Sequence, residues 1–323
     1  MAWRVLTCIL ALAVGVFVSQ VTAGAPPAKT PTIGWLGVGY PPSGSPGSPF
    51  FEGMKKLGWV EGKDLSVERR FAEEQPDRLP ELAAELVRLK VDVIVAGDSA
   101  AIPAAKGATR TIPIVMTVSS DPVSQGFVAS LARPGGNVTG LSNISPELAP
   151  KRVQLLKEIV PGMSCLAVLG PPSLPDWAEL AAAARASGLR MLSLEVSDAS
   201  DLEKALEKAA HERCDALIVI PSPITNFNRR RIVELAARRH LPAMYALGTY
   251  VNAGGLIAYG PNIDDLYYRA AAYVDKILRG AKPADLPIER PQKFELAINL
   301  KTAKSLGLTI PPSLLVSATE VIK

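Results

Sequence analysis

The chain has 323 residues, 48% of them hydrophobic, 20% charged and 6% aromatic, which is enough apolar material for a sizeable core and excludes a disordered or fibrous protein. Lys and Arg total 35 against 31 Asp and Glu, a formal charge of +4, and the basic residues are spread along the chain, which argues against nucleic acid as the main partner. Three cysteines and two histidines are too few for a Cys-rich zinc site, an iron–sulfur site or a disulfide scaffold, so no metal and no cofactor is expected, and the length suits two lobes.

Residues 1–23 read as a secretory signal. Arg4 supplies the positive start, residues 5–18 an apolar run, and Val21, Thr22 and Ala23 the small residues of a cleavage site, placing cleavage after Ala23 and predicting a soluble exported protein. An uncleaved anchor needs about 20 apolar residues, and Ser19, Gln20 and Thr22 cut this run short. Residues 24–31, rich in Ala and Pro, form a flexible lead-in.

Strand and helix signals then alternate. Residues 33–37 are a short apolar run ending in glycine, 50–57 are helix-like, and 65–70 alternate as a strand does. Leu79, Leu82, Ala83, Leu86 and Val87 recur at helical spacing, and 91–96 is a continuous Val/Ile run suited to a buried parallel strand. Further apolar runs at 112–118, 138–141, 165–169, 189–196, 216–220, 242–245 and 256–259 are separated by amphipathic stretches at 123–132, 148–159, 177–187, 202–210 and 228–239. This alternation predicts an α/β protein with doubly wound parallel sheets covered on both faces. The break Arg133-Pro134-Gly135-Gly136-Asn137 precedes a strand that ends the first run of units, and a crossover to the second lobe is expected at 139–145.

Open α/β sheets bind ligands beyond the carboxyl ends of their strands, where helix N-termini offer free N–H groups. Those ends carry Tyr40, then Ser99 and Ala100, then Ser120 and Asp121, Ser173, Ser222, Tyr245 and Tyr259, with Asn143 in the crossover. Ser99, Ser120 and Asp121 also suit plain helix capping, and tyrosines at strand ends serve packing as often as ligand contact. Gly97-Asp98-Ser99-Ala100-Ala101 sits like a nucleophile elbow but ends in Ala and has no evident base. His211 and His240 fall within or at the end of basic helical stretches, as partly exposed residues. Gly37-Val38-Gly39 lacks the third glycine of a dinucleotide fingerprint, and residues 58–63 are too short for a phosphate loop. Arg229-Arg230-Arg231 reads as a solvated helix face. Cys165 and Cys214, on separate elements, are expected as two buried free thiols; pairing needs Cα atoms within about 7 Å.

Asp121-Pro122-Val123, the run from Phe127 through Arg133-Pro134-Gly135-Gly136-Asn137-Val138-Thr139-Gly140 to Ser142, and Gly254-Gly255-Leu256-Ile257-Ala258-Tyr259-Gly260-Pro261-Asn262 resemble the ABC transporter substrate-binding family that includes the TrpX-type proteins. Lys293-Phe294-Glu295-Leu296-Ala297-Ile298-Asn299-Leu300-Lys301-Thr302-Ala303-Lys304 and Leu306-Gly307-Leu308-Thr309-Ile310-Pro311 resemble its C-terminal signature, so the likeness spans about residues 31–322. The resemblance implies a type I periplasmic binding protein, two α/β lobes joined by a three-crossing hinge that closes on a small-molecule solute. The second crossing is then expected near 256–261 and the third near 294–299, with lobe 1 made of 32–141 plus 260–296 and lobe 2 of 142–259 plus 297–323.

By the same resemblance the protein is no enzyme but the monomeric receptor of an ABC importer, serving an inner-membrane permease with its ATPase. Its solute would be an aromatic amino acid or a related carboxylate. Ser99, Ala100 and Ser120 would meet a carboxylate, Asp121 an ammonium group, and Tyr40, Tyr245 or Tyr259 the apolar part. Two departures bear on the amino group: the family often has Thr-Pro where Asp98-Ser99 stands and an Arg-Glu-Phe type triplet at Leu247-Gly248-Thr249. Ser222 also replaces a frequent acidic residue. The alternatives are an exported serine hydrolase using Ser99, or a sensor subunit that presents its ligand to a receptor.

Overall fold

The structure, a computed structural model, describes residues 30–39, 48–73, 75–171 and 173–323. The expected signal, most of the lead-in and Tyr40 lie outside the described residues. The first run of elements is β1 (Thr32–Gly37), α1 (Pro49–Lys56), β2 (Ser66–Phe71), α2 (Leu79–Arg88), β3 (Val93–Ala96), α3 (Ala101–Ala108), β4 (Ile114–Met116) and β5 (Val138–Gly140). These strands form a five-stranded parallel sheet in the order β2-β1-β3-β4-β5. Val93, Ile94, Val95 and Ala96 are wholly buried, as helices on both faces require of a central strand.

The second run is α4 (Ala149–Ile159), β6 (Cys165–Gly170), α5 (Asp176–Ala186), β7 (Arg190–Glu195), α6 (Asp201–His211), β8 (Ala216–Val219), α7 (Pro223–Phe227), α8 (Arg229–Arg238), β9 (Ala243–Tyr245), α9 (Gly248–Asn252) and β10 (Ile257–Pro261). α10 (Ile263–Leu278), β11 (Phe294–Asn299), α11 (Leu300–Ser305), α12 (Pro312–Ser317) and β12 (Glu320–Ile322) complete the chain. The second sheet has seven strands in the order β12-β11-β10-β9-β8-β6-β7. No helix among the described residues is long and apolar enough to cross a membrane.

α10 returns to the first lobe. Its Leu266, Ala270, Ala271, Tyr273, Val274 and Ile277 join Ile33, Trp35, Phe50 and Met54 in one buried cluster. Gly53 makes this close approach sterically feasible, because a Cβ there would stand 2.6 Å from the Tyr268 carbonyl oxygen.

Four details depart from the sequence reading. The stretch 123–132 forms turns rather than a helix; Asp121 caps a turn at Val123 and Ser124, and Gly126 adopts φ 67°. β11 pairs antiparallel with β10, in the register Ile257↔Ile298 to Pro261↔Phe294, within an otherwise parallel sheet. Gly260, Pro261 and residues 294–296, expected in lobe 1, therefore lie in the second sheet, and the chain leaves and re-enters that sheet at neighbouring points. The Asn262 amide donates to the Lys293 carbonyl at 3.0 Å, so the second and third crossings run side by side at 262 and 290–293. Finally, Cys165 and Cys214 are joined in a disulfide with Cα atoms 4.7 Å apart, not free thiols. β6 and β8 are sheet neighbours with Leu166 opposite Ala216, which brings the two strand entrances together.

Candidate functional site

The carboxyl ends of β1 and β3 are tied by one side chain. Asp98 accepts from the Val38 amide at 2.7 Å through Oδ2, and from the Ala100 and Ala101 amides at 3.0 Å each through Oδ1. It therefore caps α3 and anchors the turn after β1 at once. Burial pushes this carboxyl above its ordinary range, against the pull of the three amides. Behind it, the Tyr267 hydroxyl from α10 donates to the Gly97 carbonyl at 2.6 Å, and Trp35 stacks on the Tyr267 ring with centroids 6.2 Å apart. Gly97 must be glycine at this spot, since a Cβ would stand 2.7 Å from Trp35 Nε1.

In the opposite lobe the end of β8 leads to Ser222, which forms a capping box with Thr225 at the start of α7. The short helix ends in Phe227, whose ring crosses to the first lobe. A Cβ at Gly39 would lie 2.7 Å from Phe227 Cε1, and the ring packs on the cluster holding Leu36, Val38 and Ala100. Gly39 follows β1 and Phe227 follows β8, so the strand ends of the two sheets face each other here, where a cleft between lobes is expected. Beside Phe227, Arg229 is half-buried and donates from Nη1 to the Asn226 carbonyl at 3.1 Å, and the Tyr250 hydroxyl donates to Asn226 Oδ1. Arg229 makes no ion pair among the described residues.

The remaining wall is made where the crossings emerge. Tyr259 of β10 stacks on Phe294 of β11 with centroids 6.3 Å apart. Asn262 caps α10 through its bond from the Asp265 amide and donates from Nδ2 to Glu295. Burial raises the Glu295 carboxyl, more than the Asn262 donor lowers it.

Several residues singled out from the sequence stand elsewhere or are already engaged. The Ala100 amide is taken by Asp98, and the Ser99 hydroxyl donates to the Val118 carbonyl at 3.3 Å. A backbone carbonyl is no general base, and His211 and His240 are exposed at the far ends of α6 and α8, so among the described residues Ser99 has no histidine base of the kind a hydrolase needs. Ser120 and Asp121 line a cavity of about 170 Å³ with Ser142, Ile144, Pro146 and Arg290, at the first crossing rather than beside Asp98. Asn143 holds that crossing locally, accepting from the Ser145 amide at 3.0 Å. Ser222 is buried in its cap, Ser173 is exposed, and Tyr245 is a core residue, 1% exposed and stacked on Tyr250 with centroids 4.6 Å apart. Burial drives the Tyr245 hydroxyl upward, far from any working range.

The sequence reading did not single out Phe227, took Arg229, which is half-buried, for part of a solvated helix face, and noted Asp98 within the elbow-like turn and as a departure but not as a site residue. An acidic residue ahead of Ser99-Ala100-Ala101 at a helix start is a cap signal that could have found Asp98. Nothing local marks Phe227, because its contact is made with a residue of the other lobe.

Known proteins share this fold. A curated relative, the tyrosine-binding protein of Clostridioides difficile (strain R20291), is 26% identical over 275 residues, covering 80% of this chain and 75% of that protein. The structure of a conserved domain protein from Vibrio cholerae O1 superposes with a TM-score of 0.85 at 28% identity, covering 91% of this chain and 100% of the other. An ABC domain from Streptococcus pneumonia in complex with L-Trp superposes with a TM-score of 0.84 at 25% identity, over 91% of this chain and 100% of that one. The description "ABC transporter substrate binding protein" matches residues 47–322 as a family, and with two α/β lobes whose strand ends face each other, the chain belongs to that family of small-solute receptors.

Proposed function

We propose that this protein captures an amino acid with an apolar or aromatic side chain between its lobes, after export and cleavage near Ala23, and delivers it to an inner-membrane ABC permease driven by its ATPase. The observation that carries the reading is the Asp98 carboxylate, fixed by three backbone amides at the rim of the Phe227–Gly39 contact. A carboxylate so placed repels a ligand carboxylate and takes an ammonium group. This reverses part of the expectation from the sequence, since Ser99 and Ala100 then frame the amino end. Arg229, half-buried across the cleft without a carboxylate partner, receives the solute's carboxylate, and Phe227 and Tyr259 flank its side chain. The tyrosine-binding and L-Trp-bound relatives support an amino acid as the solute class.

The test is a thermal-shift panel on protein freed of carried-over solute by partial unfolding and refolding. A ligand at 100 times its dissociation constant adds about 2.7 kcal/mol to stability, a clearly readable shift. L-tyrosine or L-tryptophan should stabilise the protein and 3-(4-hydroxyphenyl)propionate, which lacks the amino group, should not. Equal stabilisation by the deaminated acid refutes the role given to Asp98.

A further inference from the structure

Arg152 lies on α4 yet is only 2% exposed, among the most deeply buried side chains of the chain. Its guanidinium does not face a carboxylate directly. Nε donates to the Tyr259 carbonyl at 2.9 Å, and Nη1 donates to both the carbonyl and the hydroxyl oxygen of Ser145 at 3.1 Å. The Ser145 hydroxyl in turn donates a hydrogen bond to Asp176 Oδ1 at 2.8 Å, so buried Asp176 balances the cation through one intervening side chain. Nη2 is buried and has no partner among the described residues.

The two carbonyls belong to different crossings. Ser145 ends the first, and Tyr259 lies in β10 immediately before the second. The second is bonded in turn to the third through the Asn262 amide on the Lys293 carbonyl and the Asn262 side chain on Glu295. The first crossing is held to the chain entering the third by the Ser142 amide on the Glu289 carbonyl at 3.0 Å and the Glu289 amide on the Gly140 carbonyl at 3.1 Å, and the Arg152 fork adds the link between the end of the first crossing and the start of the second. An apolar side chain would fill the same space without joining them. Burying a guanidinium is expensive unless its donors are used, and two of its three nitrogens are spent on these crossings rather than on a salt bridge.

We infer that Arg152 is a positioning residue of the hinge, fastening the end of the first crossing to the start of the second so that, with the backbone bonds that join each of them to the third, the three bend as one unit. The inference rests on the two-lobe receptor reading, in which closure is a rotation about these crossings. It differs from that reading in needing no solute for its test. Lysine keeps the charge but has one ammonium head, which cannot reproduce the planar fork that reaches Ser145 and Tyr259 together.

Hydrogen exchange on the full chain without solute, compared for wild type, Arg152→Lys and the paired variant Arg152→Met with Asp176→Asn, tests it. The paired variant removes both buried charges and covers the case in which the lysine variant does not fold. Loss of one bond of the fork should speed exchange of amides in residues 142–148 and 260–263 roughly tenfold, with the core amides of β1 and β6 unchanged. Crossing amides that exchange as in wild type overturn the inference. So does a rise shared equally by the β1 and β6 amides, which marks uniform destabilisation. Failure of the receptor reading would show separately, as a protein whose exchange and melting no solute alters.

Discussion

Phe227 is the side chain on which lobe closure should depend most directly. Its ring belongs to α7 of the second lobe but packs against Gly39 and the Leu36–Val38–Ala100 cluster of the first. Burying a whole phenylalanine side chain contributes about 1.5–3 kcal/mol. Phe227 is half-buried, and part of that burial is against its own lobe, so the share that depends on the lobes meeting is about 1 kcal/mol. Phe227→Ala should then lower the closed-to-open ratio of the solute-free protein roughly fivefold, read as a larger radius of gyration by small-angle scattering. Gly39→Ala perturbs the same contact from the other side, since its Cβ would stand 2.7 Å from Cε1 and 3.0 Å from Cζ. Gly39 is not in the left-handed region, so alanine brings a clash across the cleft and little backbone strain. The two substitutions form a double-mutant cycle, measured as L-tyrosine affinity by calorimetry alongside the scattering. The penalty of Gly39→Ala should shrink by most of its value once Phe227 is alanine. Additive effects would refute the claim that this contact is what the lobes close upon.

Other consequences can be checked on the same protein. Asp98→Asn should cost about 1–3 kcal/mol in urea unfolding, because both carboxylate oxygens accept from amides and either orientation of the new amide sets an NH₂ group against an N–H donor. Arg229→Gln should weaken L-tyrosine binding by about tenfold or more, through loss of a charge-assisted contact to solute, with only the small fall in the solute-free melting midpoint that loss of its bond to the Asn226 carbonyl brings. Reducing the Cys165–Cys214 bond, which spans a sequence separation of 49, should remove about 4 kcal/mol by the loop-entropy relation, seen as a lower urea midpoint with reductant present; a midpoint that does not move excludes it as a structural staple. Glu295 has a raised carboxyl in the fold, so its ionisation costs stability as pH climbs from the unfolded carboxylate range through the folded value. Glu295→Gln, which keeps an acceptor for Asn262, should therefore melt higher than wild type at pH 7, and the gap should close as pH falls below about 4.

What was legible beforehand follows from where the information resides. Val93 to Ala96 is read as a buried central strand because burial on both faces demands an unbroken apolar run, a property of the segment itself. The spacing of Leu79, Leu82, Ala83 and Leu86 shows the buried face of α2 for the same reason. The stretch 123–132 misled because Val123, Phe127, Val128 and Leu131 do keep helical spacing, and Phe127, Val128 and Leu131 do pack on the core, yet turn chemistry at Asp121 and Gly126 prevails. The direction of β11 could not be read at all: its run suits either sense, and the choice is made by β10 lying beside it at the hinge.

The site residues divide along the same line. Asp98 as a helix cap is local, spanning two and three residues, whereas its bond to Val38 reaches 60 residues away and is what places the carboxylate at the cleft. Ser222 and Tyr245 were chosen by position alone, and position at a strand end does not distinguish a side chain turned to the cleft from one turned into the sheet's helical cover. The period of two along a strand settles that, and in a strand as short as Ala243–Tyr245 with all three residues buried there is no alternation to read. Arg152 is the extreme case. On the helix that carries it, Lys151, Gln154, Lys157 and Glu158 behave as a solvated face, and the sequence does not separate Arg152 from them. Only the arrival of Ser145 and Tyr259 above it, from two different crossings, turns a surface-type residue into a fastening of the hinge.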